Sequence, residues 1–196
     1  MTRLAPAPAA AWLSLCLLSA AILAPDARGE AVEIEGVPFA DPLWVGEEPI
    51  PLFGLGLLRY RVFFRGYVGG LYLPEGTQAS RVLDDIPKAL ELSYFWAIKG
   101  ALFAEAADEL LARSQTPEAI EALRDRLDQL NRLYRDVAVG DRYRLTYLPE
   151  VGLTLSLNGT PLGTIPGADF AAAYFGIWLG DEPLSVSFRD QLLLGR

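Results

Sequence analysis

From Leu52 to Leu73 the chain reads LFGLGLLRYRVFFRGYVGGLYL, its longest apolar block after the N-terminal leader, broken at Phe64-Arg65-Gly66. A block of this kind with one break near its middle predicts two antiparallel strands joined by a short turn. Every other element has to be arranged around that hairpin. Before it, Val32 to Val37 predicts a strand that ends at a Pro-rich loop from Pro38 to Pro51. After it come a Pro/Gly/Thr loop, a short segment around Val82 to Ile86, and a strand from Ala89 to Ala97 that carries Tyr94, Phe95 and Trp96.

The period then changes. Ala101 to Arg113 is made of strong helix formers. Thr116-Pro117-Glu118 supplies an N-cap, a proline at the first helical position and an early acid, which start a second helix. Ile120, Leu123, Leu127, Leu130, Tyr134 and Val137 continue as one apolar stripe, so this helix is expected to run from Pro117 to Val137. From Asp141 the period returns to two. Tyr143, Leu145 and Tyr147 alternate with Arg142, Arg144 and Thr146, and Leu153, Leu155 and Leu157 alternate with Thr154 and Ser156. Asn158-Gly159 marks a tight hairpin turn before Leu162 to Ile165. A last helix is expected from Ala168 to Leu179, closed by Gly180. Strands, then helices, then strands and a helix predict an α+β domain whose mostly antiparallel sheet is covered on one side by helices.

The first residues read as a secretory signal. Arg3 precedes an apolar stretch from Ala11 to Ala24, and Ala27-Arg28-Gly29 places small residues at −3 and −1 for cleavage before Glu30. The stretch is short for a membrane span, which takes about 20 residues. The expected division is a signal peptide over 1–29 and a single domain over 30–196, in a periplasmic or secreted protein with no transmembrane segment after cleavage.

Such a mature chain has no histidine, cysteine or methionine: the chain contains no His, its one Met is Met1 and its one Cys is Cys16. It has no imidazole that titrates near neutrality, no thiolate nucleophile and no soft metal ligand. A Ser-His-Asp relay, a zinc hydrolase and a conventional haem site are excluded by inventory, and no metal or cofactor is expected. The formal charge of −8 becomes −9 once Arg3, Asp26 and Arg28 leave with the leader. Only Lys88 and Lys99 are lysines. This acidic balance argues against nucleic acid and anionic lipid headgroups as partners.

Arg59 and Arg61 stand out inside the apolar block. In a regular strand they share a face with Phe63, while Leu58, Tyr60, Val62 and Phe64 share the other. Alternation alone turns both arginines to water, because Arg is rarely buried without a partner. The competing reading curls the sheet around a cavity and aims one guanidinium into it as a bidentate fork for a carboxylate or enolate. Other features read as ordinary. Glu47-Glu48 and Asp84-Asp85 are solvated charges, Lys99 is an exposed loop lysine, and Gly54-Leu55-Gly56 lacks the third glycine of a dinucleotide fingerprint. Tyr94, Trp96, Phe170, Tyr174 and Trp178 suit either a pocket lining or plain core.

The runs Gly54-Leu55-Gly56-Leu57-Leu58-Arg59-Tyr60 and Tyr67-Val68-Gly69-Gly70-Leu71-Tyr72-Leu73 resemble the chalcone isomerase-like family. So do Gly140-Asp141, Leu157-Asn158-Gly159 and Ile177-Trp178-Leu179-Gly180-Asp181-Glu182-Pro183, in the family's order and closest to its secreted bacterial branch. The resemblance implies an open-faced β-sandwich: a large antiparallel sheet backed by helices, with a cleft between them. It also implies two activities, isomerisation of chalcones to flavanones or non-catalytic binding of fatty acids. Arg59 matches the arginine used in both. Tyr67 falls where the enzymes carry a threonine and the fatty-acid binders a tyrosine that helps hold the carboxylate. Phe103, Leu110 and Phe188 stand where the enzymes carry a tyrosine, an asparagine and a Ser or Thr. Loss of one such polar group costs about 10²–10³ in rate, and all three changes make the cleft more apolar.

The expected function is therefore a periplasmic, non-catalytic binder of a small apolar anion such as a fatty acid, with no confident catalytic residue. Arg59 and Tyr67 are the expected donors, and Phe103, Leu110 and Phe188 the expected walls. Ten buried methylenes supply about 8 kcal/mol, against about 1.5–3 for one charge-assisted hydrogen bond, so chain burial dominates affinity. The alternatives are an intramolecular lyase or isomerase acting on a polarised carbonyl, and a structural or interaction module whose cleft is filled by its own side chains.

Overall fold

The computed structural model describes residues 30–60 and 64–195. The leader over 1–29 and Arg61, Val62 and Phe63 lie outside them. Six strands form one antiparallel sheet: β5 (Leu52–Tyr60), β6 (Phe64–Tyr72), β7 (Lys88–Tyr94), β8 (Arg142–Leu148), β9 (Gly152–Leu157) and β10 (Thr160–Ile165), in the spatial order β10-β9-β8-β7-β6-β5. Strands adjacent in sequence are neighbours in space. The one long excursion is β7 to β8, which carries α1 (Gly100–Ser114) and α2 (Pro117–Asn131). After β10 come α3 (Ala168–Leu179) and α4 (Val186–Leu193). The fold is α+β, with a large antiparallel sheet backed by four helices.

Alternation places the core as expected. Along β8, Tyr143, Leu145 and Tyr147 are buried while their neighbours are half-buried. They join Tyr67, Leu71, Leu90, Leu92 and Tyr94 on the helix side, packed against Leu111, Leu127, Phe170, Tyr174 and Phe188. Thr116 caps α2 by accepting from the Ala119 amide at 3.3 Å, a local hydrogen bond that fixes the first turn. At the β9–β10 turn, Asn158 and Gly159 hold φ of 51° and 81°, the left-handed pair that suits strand twist.

The structure departs from the expected elements in three places. The segment read as one strand and a Pro-rich loop forms two small hairpins, β1 (Glu30–Ile34) with β2 (Val37–Asp41) and β3 (Leu43–Val45) with β4 (Glu48–Ile50). They cover the face of the sheet away from the helices, where Phe39, Val45, Ile50, Leu52, Val68 and Tyr72 form a second core. Second, α2 stops at Asn131. Tyr134 and Val137 keep the helical spacing but lie on an extended return, where Val137 bridges Ile98 and Tyr143 Oη donates to the Arg135 carbonyl and accepts its amide. Third, α4 was not anticipated. It is eight residues long, capped by Ser185 Oγ accepting from Phe188 N. Its signals were that cap and the i, i+4 pair Phe188 and Leu192.

The docking of α4 explains Gly54-Leu55-Gly56. A Cβ on Gly54 would stand 2.1 Å from the Leu192 carbonyl oxygen, and one on Gly56 would stand 3.0 Å from the Phe188 ring. These glycines let a helix lie directly on strand backbone, and Gln191 Oε1 accepts the edge amide of Leu57 at 3.0 Å.

Candidate functional site

Between the helix-side face of the sheet and α1 and α3 lies a cavity of about 200 Å³. Its floor is Tyr67, Leu92 and Tyr94, which the pairing of Tyr67 with Tyr94 across β6 and β7 brings side by side. Its wall on α1 is Leu102, Phe103, Ala106, Ala107 and Leu110, one helical face whose two alanines leave the space open. Ile177, Trp178 and Tyr174 come from α3, and Ile98, Tyr134 and Leu184 close the remainder. Leu102 and Leu184 are exposed at 51% and 38%, so they form a rim at the surface.

Among the described residues, the lining contains no ionisable group other than tyrosines. Tyr67 Oη accepts from Trp178 Nε1 at 2.9 Å. The Tyr134 and Tyr174 hydroxyls share a hydrogen bond of 2.5 Å. Tyr94 stacks its edges against Tyr67 and Phe103 at centroid distances of 5.5 Å each. Phe103 in turn stacks on Tyr134 at 5.1 Å. Burial pushes the phenols of Tyr67, Tyr94, Tyr134 and Tyr174 well above the usual tyrosine range. The hydrogen bonds to Tyr67 and Tyr134 oppose that rise without cancelling it. All four therefore stay protonated and offer neutral donors in a dry setting.

Of the residues singled out in the sequence, Tyr67, Phe103 and Leu110 meet in this cavity. Phe188 does not line it. It is 1% exposed and lies behind Tyr67, edge-on at 5.3 Å, as part of the packed core. The inward guanidinium of Arg59 is corrected. The Arg59 side chain is 51% exposed and stands 3.6 Å from Glu35, which also pairs with Arg65 at 3.1 Å. Two physical causes are visible. Alternation along β5 runs unbroken from Leu57, which is buried under the hairpins, so Arg59 falls on that same face and away from the cavity. The partner Arg59 finds is the carboxylate at the β1–β2 turn, whereas the described lining of the cavity offers none to neutralise it. Arg61 lies outside the described residues.

Tyr94, Tyr174 and Trp178 line the cavity, whereas Trp96 and Phe170 do not. Trp96 is 54% exposed, and its Nε1 donates to the Arg65 carbonyl. Lys99 is exposed and pairs with Asp136 at 2.6 Å. Sequence reasoning passed over Tyr134, Leu102, Ala106 and Ala107. The signal for the last three was the spacing 102, 103, 106, 107, 110, the one apolar face of α1. Among the described residues no group of three or more His, Cys, Asp or Glu is placed to hold a metal ion, and no helix is long and apolar enough to cross a membrane.

A sequence model described as chalcone isomerase-like matches residues 31–194, nearly the whole described chain. The chain belongs to the chalcone isomerase-like family. Among solved structures, this chalcone isomerase-like domain is similar to the crystal structure of a fatty-acid binding protein from Arabidopsis thaliana, with a TM-score of 0.62 and 16% identity. The likeness covers 84% of this chain and 96% of that one. At that identity it establishes the shared fold. A search of curated protein sequences gives no match.

Proposed function

We propose that this chalcone isomerase-like protein is a non-catalytic carrier of a small apolar molecule, held in the cavity between the sheet and helices α1 and α3. The observation that carries the reading is the cavity itself: about 200 Å³ walled by aliphatic and aromatic side chains, with phenol and indole groups as its polar content. A dry apolar cavity of about 150 Å³ is enough to bind benzene. Phe103 and Leu110 support the absence of catalysis. They line the cavity at positions where the resemblance places polar groups in the isomerases, and neither can order water or stabilise an enolate. The fatty-acid binding neighbour makes an acyl chain a natural occupant class.

Export belongs to the same proposal: a leader over 1–29 delivers the domain outside the cytoplasm. Recovery from an extracytoplasmic fraction with Glu30 as the first residue supports it, and retention of Met1 there overturns it.

The function is tested by mass spectrometry of organic extracts from the purified protein and from Ala107→Leu, which fills the cavity. A molecule enriched with the native protein and absent from the variant is expected. Equal extracts from both defeat the reading. Catalysed loss of chalcone absorbance would defeat the non-catalytic part.

A further inference from the structure

The polar groups of the cavity form an uneven set. Trp178 spends its one donor on Tyr67 Oη, which leaves the Tyr67 hydroxyl proton free to donate. Tyr94 is 4% exposed, lines the cavity, and its hydroxyl makes no hydrogen bond to the described residues. The Tyr134–Tyr174 pair uses one proton internally and keeps the other. These spare protons belong to phenols that burial holds neutral, and among the described residues the lining carries no cation. Arg59 and Arg65 are occupied outside by Glu35, and Lys99 by Asp136.

We infer that the cavity selects an uncharged molecule bearing one acceptor oxygen, and discriminates against the carboxylate of the same size. The inference rests on the binding role proposed above and names its ligand class. A carboxylate entering this space gives up its hydration and meets only neutral donors, which return a fraction of that loss. An ester, ketone or ether oxygen loses far less hydration, and one phenol proton satisfies it. Tyr94 is the principal donor because it lines the cavity and its hydroxyl proton is taken by none of the described residues, which leaves it open to a ligand oxygen. Size sets a second limit. If about 150 Å³ holds a six-carbon ring, a volume of 200 Å³ holds about eight carbons. A long fatty acid cannot be enclosed and would leave most of its chain in water.

Four probes separate these claims by calorimetry at pH 8: methyl heptanoate, octanoate, octane and palmitate. Methyl heptanoate and octanoate differ only by charge and the position of one methyl group. The ester is expected to bind at least about tenfold more tightly than octanoate, and about threefold or more above octane. In Tyr94→Phe the advantage of ester over octane is expected to vanish while octane binding is retained. That variant removes a hydroxyl with no protein partner, so folding is preserved. Octanoate or palmitate binding as tightly as the ester overturns the inference and leaves the carrier role intact. An unchanged ester-to-octane ratio in Tyr94→Phe overturns the assignment of Tyr94. Absence of binding by all four defeats the carrier role itself.

Discussion

The two faces of the central sheet solve opposite problems with neighbouring residues. On the hairpin side, Glu91 is nearly buried and receives two arginines, Arg142 at 2.6 Å and Arg144 at 2.9 Å. Arg142 also reaches the Pro38 carbonyl and lies over the Phe39 ring, so the charge cluster fastens the β1–β2 hairpin to the sheet. On the helix side, Leu92 and Tyr94 of the same strand look into a cavity that has no charged side chain among its described lining residues. One face pairs its charges and fills its space; the other leaves space and keeps its polar groups neutral. Buried ion pairs add little net stability but are costly to break, so the first face is the rigid one. The second retains unfilled volume that a well-packed core would close, which is the mark of a binding surface.

The sharpest way to break that contrast is to discharge the first face. Glu91→Gln keeps the shape and leaves Arg142 and Arg144 facing each other without a counterion. A loss of about 3 kcal/mol in urea denaturation is expected, with ligand affinity unchanged. Loss of binding at equal folded fraction would show that the two faces are coupled.

Gly69 and Gly70 report on the two faces from adjacent positions. A Cβ on Gly69 would meet Phe188 Cζ at 2.6 Å, behind the cavity wall; one on Gly70 would meet Phe39 Cδ1 at 2.7 Å, under the hairpin. Each alanine variant is expected to cost about 2 kcal/mol by overpacking. Only Gly69→Ala is expected to weaken ligand binding, read by calorimetry on the two variants side by side.

Lys88 is the exception on the helix side, far from the cavity lining. It is 1% exposed, donates to the Asp84 carbonyl and lies near the rings of Tyr147 and Phe175. Burial lowers its pKa to about 8, against the pull of Asp85 and Asp84. The folded state then binds fewer protons than the unfolded one between pH 8 and the ordinary lysine value. Stability is expected to be lowest below pH 8 and to rise by about 1–2 kcal/mol toward pH 10. Above pH 10 the buried tyrosines reverse the trend, because their folded pKa values are raised and unfolded tyrosines ionise first. Thermal denaturation across pH 7–11 checks both limbs, and Lys88→Met is expected to abolish the rise.

Filling the cavity tests the second face directly. Ala107→Leu adds carbons at a small, buried residue of the wall and is expected to stabilise the protein by about 1 kcal/mol while abolishing binding. Destabilisation would mean that the space is already closed. The smallest effect belongs to Tyr94→Phe in the absence of ligand, a change within about 0.5 kcal/mol, because no hydrogen bond is broken.

Much of the architecture was legible in local pattern. The Leu52–Leu73 hairpin, the period-two strands from Arg142, the Thr116-Pro117 helix start and the Asn158-Gly159 turn all carry their signal within a few residues. Of the expected walls, Phe103 and Leu110 fall in the cavity, as does Tyr67. Arg59 and Phe188 do not: local alternation already turned Arg59 to water, against what the resemblance implied, and only the placement of Phe188 was beyond local reasoning. Phe188 sits on a helix whose position depends on glycines more than 130 residues earlier in the chain, as the Leu57–Gln191 separation of 134 shows.

What the sequence determined alone is periodicity and inventory: which segments extend, which coil, and which chemistries lack their atoms. Those properties belong to neighbouring residues and to composition. Where the charges point and where volume stays empty was decided only when the sheet, the hairpins and the helices met. A guanidinium follows the nearest carboxylate in space, here Glu35 at the β1–β2 turn. A cavity is likewise the remainder left between packed elements, and no single segment encodes it.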